Sequence, residues 1–136
     1  MIERYDKDNA YEILVSDDDA GCREAVRDAL ETQGYCPHVA SCGQEAIEYV
    51  QQNLVHAIIV DMNMPDLTGL ETVNIIRAEV HIAIPSILMS ADTSPDLKVR
   101  AMSAHVESFM PKPVNLFVLR NILNKILRKY YESDGE

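Results

Sequence analysis

Short apolar runs alternate along the chain with segments whose apolar residues recur every three to four positions. The first run, "EILVS" at 12–16, predicts a strand. "AGCREAVRDALETQ" at 20–33 sets Cys22, Ala25, Val26, Ala29 and Leu30 on one face and Arg23, Glu24, Arg27, Asp28 and Glu31 on the other. That is amphipathic helical spacing, and Gly34 closes it. "YCPHVA" at 35–40 predicts a second strand, and Pro37, which lacks an amide donor, puts it at a sheet edge. A helix over 43–53 follows, and then "HAIIVD" at 56–61, whose continuous apolar run predicts a strand buried on both faces. The next helix, 70–80, carries a stripe of Leu70, Val73, Ile76 and Val80. "PSILMS" at 85–90 predicts a fourth strand, and Ser94 with Pro95 opens a fourth helix. "ESFMP" at 107–111 predicts a fifth strand, again an edge because of Pro111. A last helix over about 115–131 directs Leu116, Leu119, Ile122, Leu123, Ile126, Leu127 and Tyr130 inward.

Five strand–helix units in strict alternation imply an α/β fold with a parallel sheet and helices on both faces. A proline-bearing second strand fits a five-stranded doubly wound sheet of order 2-1-3-4-5, a flavodoxin-like (βα)5 architecture. The expected organisation is an extension over 1–11, one domain over 12–131 and a tail over 132–136. A single domain suits 136 residues, and 47% apolar with 25% charged residues is ordinary for a globular chain. No apolar run is long enough to span a membrane, and 1–12 has no apolar centre like that of a signal peptide. The odd set Cys22, Cys36 and Cys42, without CxxC spacing, reads as free thiols in a reducing, cytoplasmic setting.

In such a sheet, ligands bind at the carboxyl ends of the strands. The first strand ends in Ser16, Asp17, Asp18 and Asp19, the third in Asp61, the fourth in Ser90 and the fifth in Lys112–Pro113. These ends should share one rim and gather carboxylates, a hydroxyl and an ammonium. Clustered carboxylates repel unless a cation joins them, and oxygen-only ligands suit Mg²⁺, with Mn²⁺ as a second option. A carboxylate can also act as a nucleophile toward phosphorus, with Mg²⁺, Lys112 and Ser90 meeting the charge on the phosphoryl oxygens. Taken singly, these residues carry little information. The acids could merely favour a helix N-terminus, as Asp19 is expected to do, and Lys112 and Ser90 could be ordinary surface and strand-end residues.

The acidic pair Asp17–Asp18, "DMNMPDLTG" around Asp61, "SA" at 90–91 and "KP" at 112–113 occur in one order and spacing. In these motifs the chain resembles the receiver domains of two-component response regulators, in the single-domain, chemotaxis-regulator-like form, over about 12–131. The resemblance implies that Asp61 accepts a phosphoryl group from a histidine kinase or a histidine phosphotransfer protein. It implies that Asp18, Asp61 and the backbone carbonyl of Asn63 bind Mg²⁺ directly, with Asp17 acting through water. Ser90 would bond the phosphoryl group and move inward, Lys112 would pair with it, and the Lys112–Pro113 bond would be cis. Phe109 stands at the aromatic switch, without the hydroxyl a tyrosine would have. Asn63 and Asp92 occupy the positions that tune phosphoryl lifetime, giving self-dephosphorylation over seconds to minutes. "AHVES" at 104–108 departs from the usual glycine-containing approach to the fifth strand. The chain would then promote only its own phosphoryl transfer and dephosphorylation, not turnover of other substrates.

The net charge of −10 argues against nucleic-acid binding by this domain. The charge is uneven, because 98–131 carries seven basic residues and a single acid, Glu107. This segment could be no more than solvated helix faces; alternatively the fourth and fifth helices form a basic docking face, expected to meet an acidic partner rather than its own copy. Downstream, the expected partner is a docked protein target or an effector domain. His38, His56, His81 and His105 show no metal-ligand spacing and are expected to be structural or exposed. A haloacid-dehalogenase-type Mg²⁺ phosphatase would need an aspartate where Asn63 stands, and a flavin module would need hydroxyls and glycines where Asp17 and Asp18 stand. A receiver taken from a hybrid histidine kinase fits the same motifs.

Overall fold

The computed structural model describes residues 10–80 and 82–132. Most of the expected 1–11 extension, most of the 132–136 tail, and His81 lie outside the described residues. Five strands, β1 (Glu12–Ser16), β2 (Cys36–Ala40), β3 (Ala57–Asp61), β4 (Ser86–Ser90) and β5 (Ser108–Pro111), form one parallel sheet of order β2-β1-β3-β4-β5. Both proline-bearing strands, β2 and β5, lie at its edges, where a missing amide removes no bond to a second neighbour. The helices are α1 (Ala20–Thr32), α2 (Gly43–Gln52), α3 (Gly69–Glu79), α4 (Pro95–Ser103) and α5 (Leu116–Leu127).

Strand alternation sorts the core into two layers. Leu14, Ile58, Val60 and Leu88 pack beneath α2, α3 and α4, against Ile47, Val50, Val73, Ile76, Leu97 and Ala101. Ile13, Val15, Ile59, Ile87, Met89 and Met110 face the other way, against Val26 and Leu30 of α1 and Leu119, Leu123, Ile126 and Leu127 of α5. Each buried branched side chain contributes about 1.5–3 kcal/mol, so the central strands hold the sheet from both faces.

Local chemistry sets the helix starts. Asp19, Ser94 and Asn115 each accept a backbone amide at the start of α1, α4 and α5. Thr68 and Glu71 exchange reciprocal bonds at α3. At the end of α4, His105 is exposed and takes the left-handed conformation (φ 61°), a place more often held by glycine. Arg77 of α3 donates to the carbonyls of Ala104 and His105 there.

The carboxyl end of the chain departs from the sequence reading. α-Helical winding stops at Leu127, and Arg128–Glu132 forms a π-helical turn. Wider winding shifts the helical phase. Tyr130 is therefore exposed, while Tyr131 is half-buried and donates to the carbonyl of His56 at 2.8 Å. At the other end of α5, Leu116 is also exposed, because it stands in the first turn before the helix settles on the sheet. Ala25 of α1 is exposed as well, so Val26 and Leu30 carry that helix's buried face.

Gly69 makes the tightest backbone approach near the β3 end. A Cβ built there would lie 2.5 Å from the carbonyl oxygen of Asp61 and 2.8 Å from Leu88 Cδ1. Gly69→Ala should therefore cost about 1–3 kcal/mol, read as a lower urea midpoint. An unchanged midpoint would contradict the close approach.

Candidate functional site

Strand parity brings the site together. Val15, Ile59 and Met110 lie on one core face. Two residues beyond each, on the same side, come Asp17, Asp61 and Lys112. Asp17 is fully buried and Asp61 is 4% exposed. The Lys112 ammonium sits 3.0 Å from Asp17 Oδ2 and 3.2 Å from Asp61 Oδ1. Asp18 is exposed, yet its carboxylate joins those of Asp17 and Asp61, with one oxygen from each lying within 4.8 Å of the others.

Ser90 is fully buried, and its hydroxyl oxygen accepts the Asp92 amide at 3.0 Å. The Asp92 carboxylate is exposed and accepts the Ser94 amide at 2.9 Å, so it turns toward the start of α4. Asn63 is exposed in the loop after β3. Phe109 is half-buried on β5, with the Lys98 ammonium 5.7 Å from its ring centre. The Lys112–Pro113 peptide is cis. An open cleft of about 570 Å³ beside Lys112 is lined by Asp19, Cys22, Ala91 and Pro113 among others.

The two buried acids are not equivalent. Burial pushes the Asp17 carboxyl up, but the Asp19 amide, the Cys22 thiol and the Lys112 ammonium outweigh it and hold the group below the ordinary range. Burial, followed by the Asp17 charge, raises Asp61 to about 6, although Lys112 opposes the rise. Burial lowers the Lys112 pKa, yet its bonds and charge contacts with Asp17 and Asp61 leave it raised. Burial and Asp17 push the Cys22 thiol up to about 12, so it stays protonated. One ammonium faces three carboxylates, which leaves excess negative charge among oxygen-only donors. That donor set fits a hard divalent cation of the Mg²⁺ type.

Several supporting contacts have no signature in the sequence. Arg23 donates to the Asp17 carbonyl at 2.8 Å. The Asp66 carboxylate accepts the amides of Gly43 at 2.9 Å, Gln44 at 2.8 Å and Leu67 at 2.7 Å, tying the loop after β3 to the start of α2. Asp66 lies more than twenty residues from its α2 partners, and no local pattern links them. Met62 and Lys112 donate backbone bonds to Met89 and Ser90, locking the three strand ends together.

Residues 13–124 match the family model for the response regulator receiver domain. Among curated relatives, response regulator MprA of Mycolicibacterium vanbaalenii is 32% identical over 123 residues, covering 90% of this chain and 53% of the relative. MprA of Mycobacterium leprae is 32% identical, with 90% of this chain and 54% of the relative covered. The chain thus spans about half the length of the curated relatives it matches. The receiver domain of Francisella response regulator 1452 superposes with a TM-score of 0.83 at 27% identity, covering 88% of this chain and 98% of that one. A response regulator receiver protein from Pseudomonas putida gives 0.81 at 32% identity, covering 85% and 97%.

The raised Asp61 pKa has a consequence for stability. In metal-free buffer the folded state holds the Asp61 proton more tightly than the unfolded state, about 6 against 3.8. That preference is fully present below 3.8 and is lost as pH rises through 6, leaving an ionised group that costs up to about 3 kcal/mol. Asp61→Asn should raise the melting temperature by several degrees at pH ~8 and by much less at pH ~4. Thermal melts at the two pH values check this, and an equal gain at both would contradict it.

Proposed function

The chain belongs to the response regulator receiver domain family, and we propose that Asp61 is its phosphoacceptor, supplied by a histidine kinase or a histidine phosphotransfer protein. The observation that carries this reading is the convergence of Asp17, Asp18, Asp61 and Lys112 at neighbouring strand ends, with Ser90 buried at the adjoining end. In the transfer, an Asp61 carboxylate oxygen forms a bond to phosphorus as the P–N bond of phosphohistidine breaks. The bonding electrons return to the imidazole nitrogen. Lys112 leaves its place between the two carboxylates to meet a phosphoryl oxygen, and the Ser90 hydroxyl donates to another. Asp17, Asp18, Asp61 and the Asn63 carbonyl would hold Mg²⁺, which when bound offsets negative charge on carboxylate and phosphoryl oxygens. Mn²⁺ meets the same ligands.

Ser90 and Phe109 lie on adjacent strands, β4 and β5. Inward movement of Ser90 toward a phosphoryl group opens space for Phe109, and this couples the site to the face formed by α4, β5 and α5. Within 98–131 the exposed apolar residues Val99, Met102 and Phe117 stand among basic side chains, with Phe117 turned toward α1. Glu107, the one acid of 98–131, is engaged by Lys129 at 3.4 Å and by the Tyr130 hydroxyl. An acidic partner protein or effector domain fits this face better than a second copy. Asn63 flanks access for the water that hydrolyses the acyl phosphate, and Asp92 joins it when its carboxylate leaves the Ser94 amide. The chain would promote only its own phosphoryl transfer and dephosphorylation. Among the described residues no helix is long and apolar enough to cross a membrane.

Incubation with acetyl phosphate and Mg²⁺ should add one phosphoryl group by intact mass, and Asp61→Asn should abolish the gain. Lys112→Ala should slow it by roughly 10²-fold. Equal labelling of Asp61→Asn would overturn the assignment. The phosphorylated protein should remain monomeric at physiological salt in sedimentation, whereas a dimer paired through α4 and α5 would defeat the proposed preference for an acidic partner.

A further inference from the structure

At the opposite end of the sheet, three side chains that the phosphotransfer chemistry does not use come together. β1 and β2 pair with Glu12 opposite Cys36. Cys36 and His38, two positions apart on one strand, project to the same face as Glu12. His38 Nε2 lies 2.5 Å from Glu12 Oε1 and 3.7 Å from Cys36 Sγ, and all three donor atoms lie within 4.8 Å of one another. Each residue is half-buried.

A thiolate, an imidazole nitrogen and a carboxylate oxygen are the ligand types of Zn²⁺. A tetrahedral ion bound at ordinary Zn–S and Zn–N lengths holds sulfur and nitrogen about 3.6 Å apart. The two atoms already stand 3.7 Å apart. The His38–Glu12 hydrogen bond would open from 2.5 Å to about 3.3 Å, with the ion replacing the shared proton. The frame is stiff: the Cys36 amide donates to the Tyr11 carbonyl at 2.8 Å, Pro37 fixes the backbone between the two ligands, and the Tyr49 ring lies 5.1 Å from that of His38. No ligand spacing around His38 marks the site in the sequence, because the third donor arrives only through the β1–β2 register.

We propose that Glu12, Cys36 and His38 form a binding site for a divalent transition metal of the Zn²⁺ class, with the fourth position open to solvent. The Cys36 thiol proton passes to solvent on binding, and the imidazole binds neutral. Hard Mg²⁺ prefers the all-oxygen cluster at the other end of the sheet, so the two sites sort ions by ligand chemistry.

Co²⁺ titrated into the full chain, with excess Mg²⁺ and a phosphine reductant present, is a direct test. A thiolate-to-cobalt absorption band should grow, saturate at one ion per chain and vanish when Zn²⁺ is added. Cys36→Ser should abolish the band, whereas Cys22→Ser and Cys42→Ser should keep it. His38→Gln and Glu12→Gln should each weaken Co²⁺ affinity about tenfold or more. Far-UV spectra check the fold, and if Cys36→Ser does not fold, the His38 and Glu12 variants decide the question. The proposal is overturned if the band survives Cys36→Ser, if His38→Gln and Glu12→Gln leave affinity unchanged, or if no band develops in the wild-type chain.

Discussion

Two carboxylates on neighbouring strand ends, both nearly removed from water, repel each other strongly, and the sheet tolerates them through one ammonium. Lys112 reaches Asp17 at 3.0 Å and Asp61 at 3.2 Å. Asp17 also receives the Asp19 amide and the Cys22 thiol, so it keeps its charge at low cost. Asp61 lacks that help and bears the penalty of burial, which is why its pKa rises. The same inequality suits the two proposed roles. In those roles Asp17 would be a steady anchor for a cation, while Asp61, less well stabilised as an anion, would gain from bonding to phosphorus.

The fold delivers this arrangement through strand parity and strand order. The apolar residues that seat β1, β3 and β5 against α1 and α5 also fix which way Asp17, Asp61 and Lys112 point. A one-residue slip of β3 would turn Asp61 to the other face and Val60 out of its layer. Positioning and stability therefore rest on the same residues. The space beside the Asp61 carbonyl adds a second constraint, because a side chain on Gly69 at the start of α3 would run into it.

Much of this was legible in the sequence. The continuous run of β3 and the prolines of β2 and β5 give sheet order, and the strand-end residues give the site. What escaped depended on atoms distant in sequence or on a change of winding. Tyr131 replaces Tyr130 on the inward face because the last turn is π-helical, which an even helical period does not anticipate. Asp66 holds α2 across a long sequence separation. Glu12, Cys36 and His38 meet only once β1 and β2 are in register.

The position of Lys112 has a mechanical side. Asp61 closes β3, a strand hydrogen-bonded to neighbours on both sides and sandwiched between two core layers. Lys112 follows β5, four residues long, paired to β4 alone and ending in a proline. The proposed phosphoacceptor thus closes a strand paired on both sides, and its counter-charge follows a short strand at the edge of the sheet.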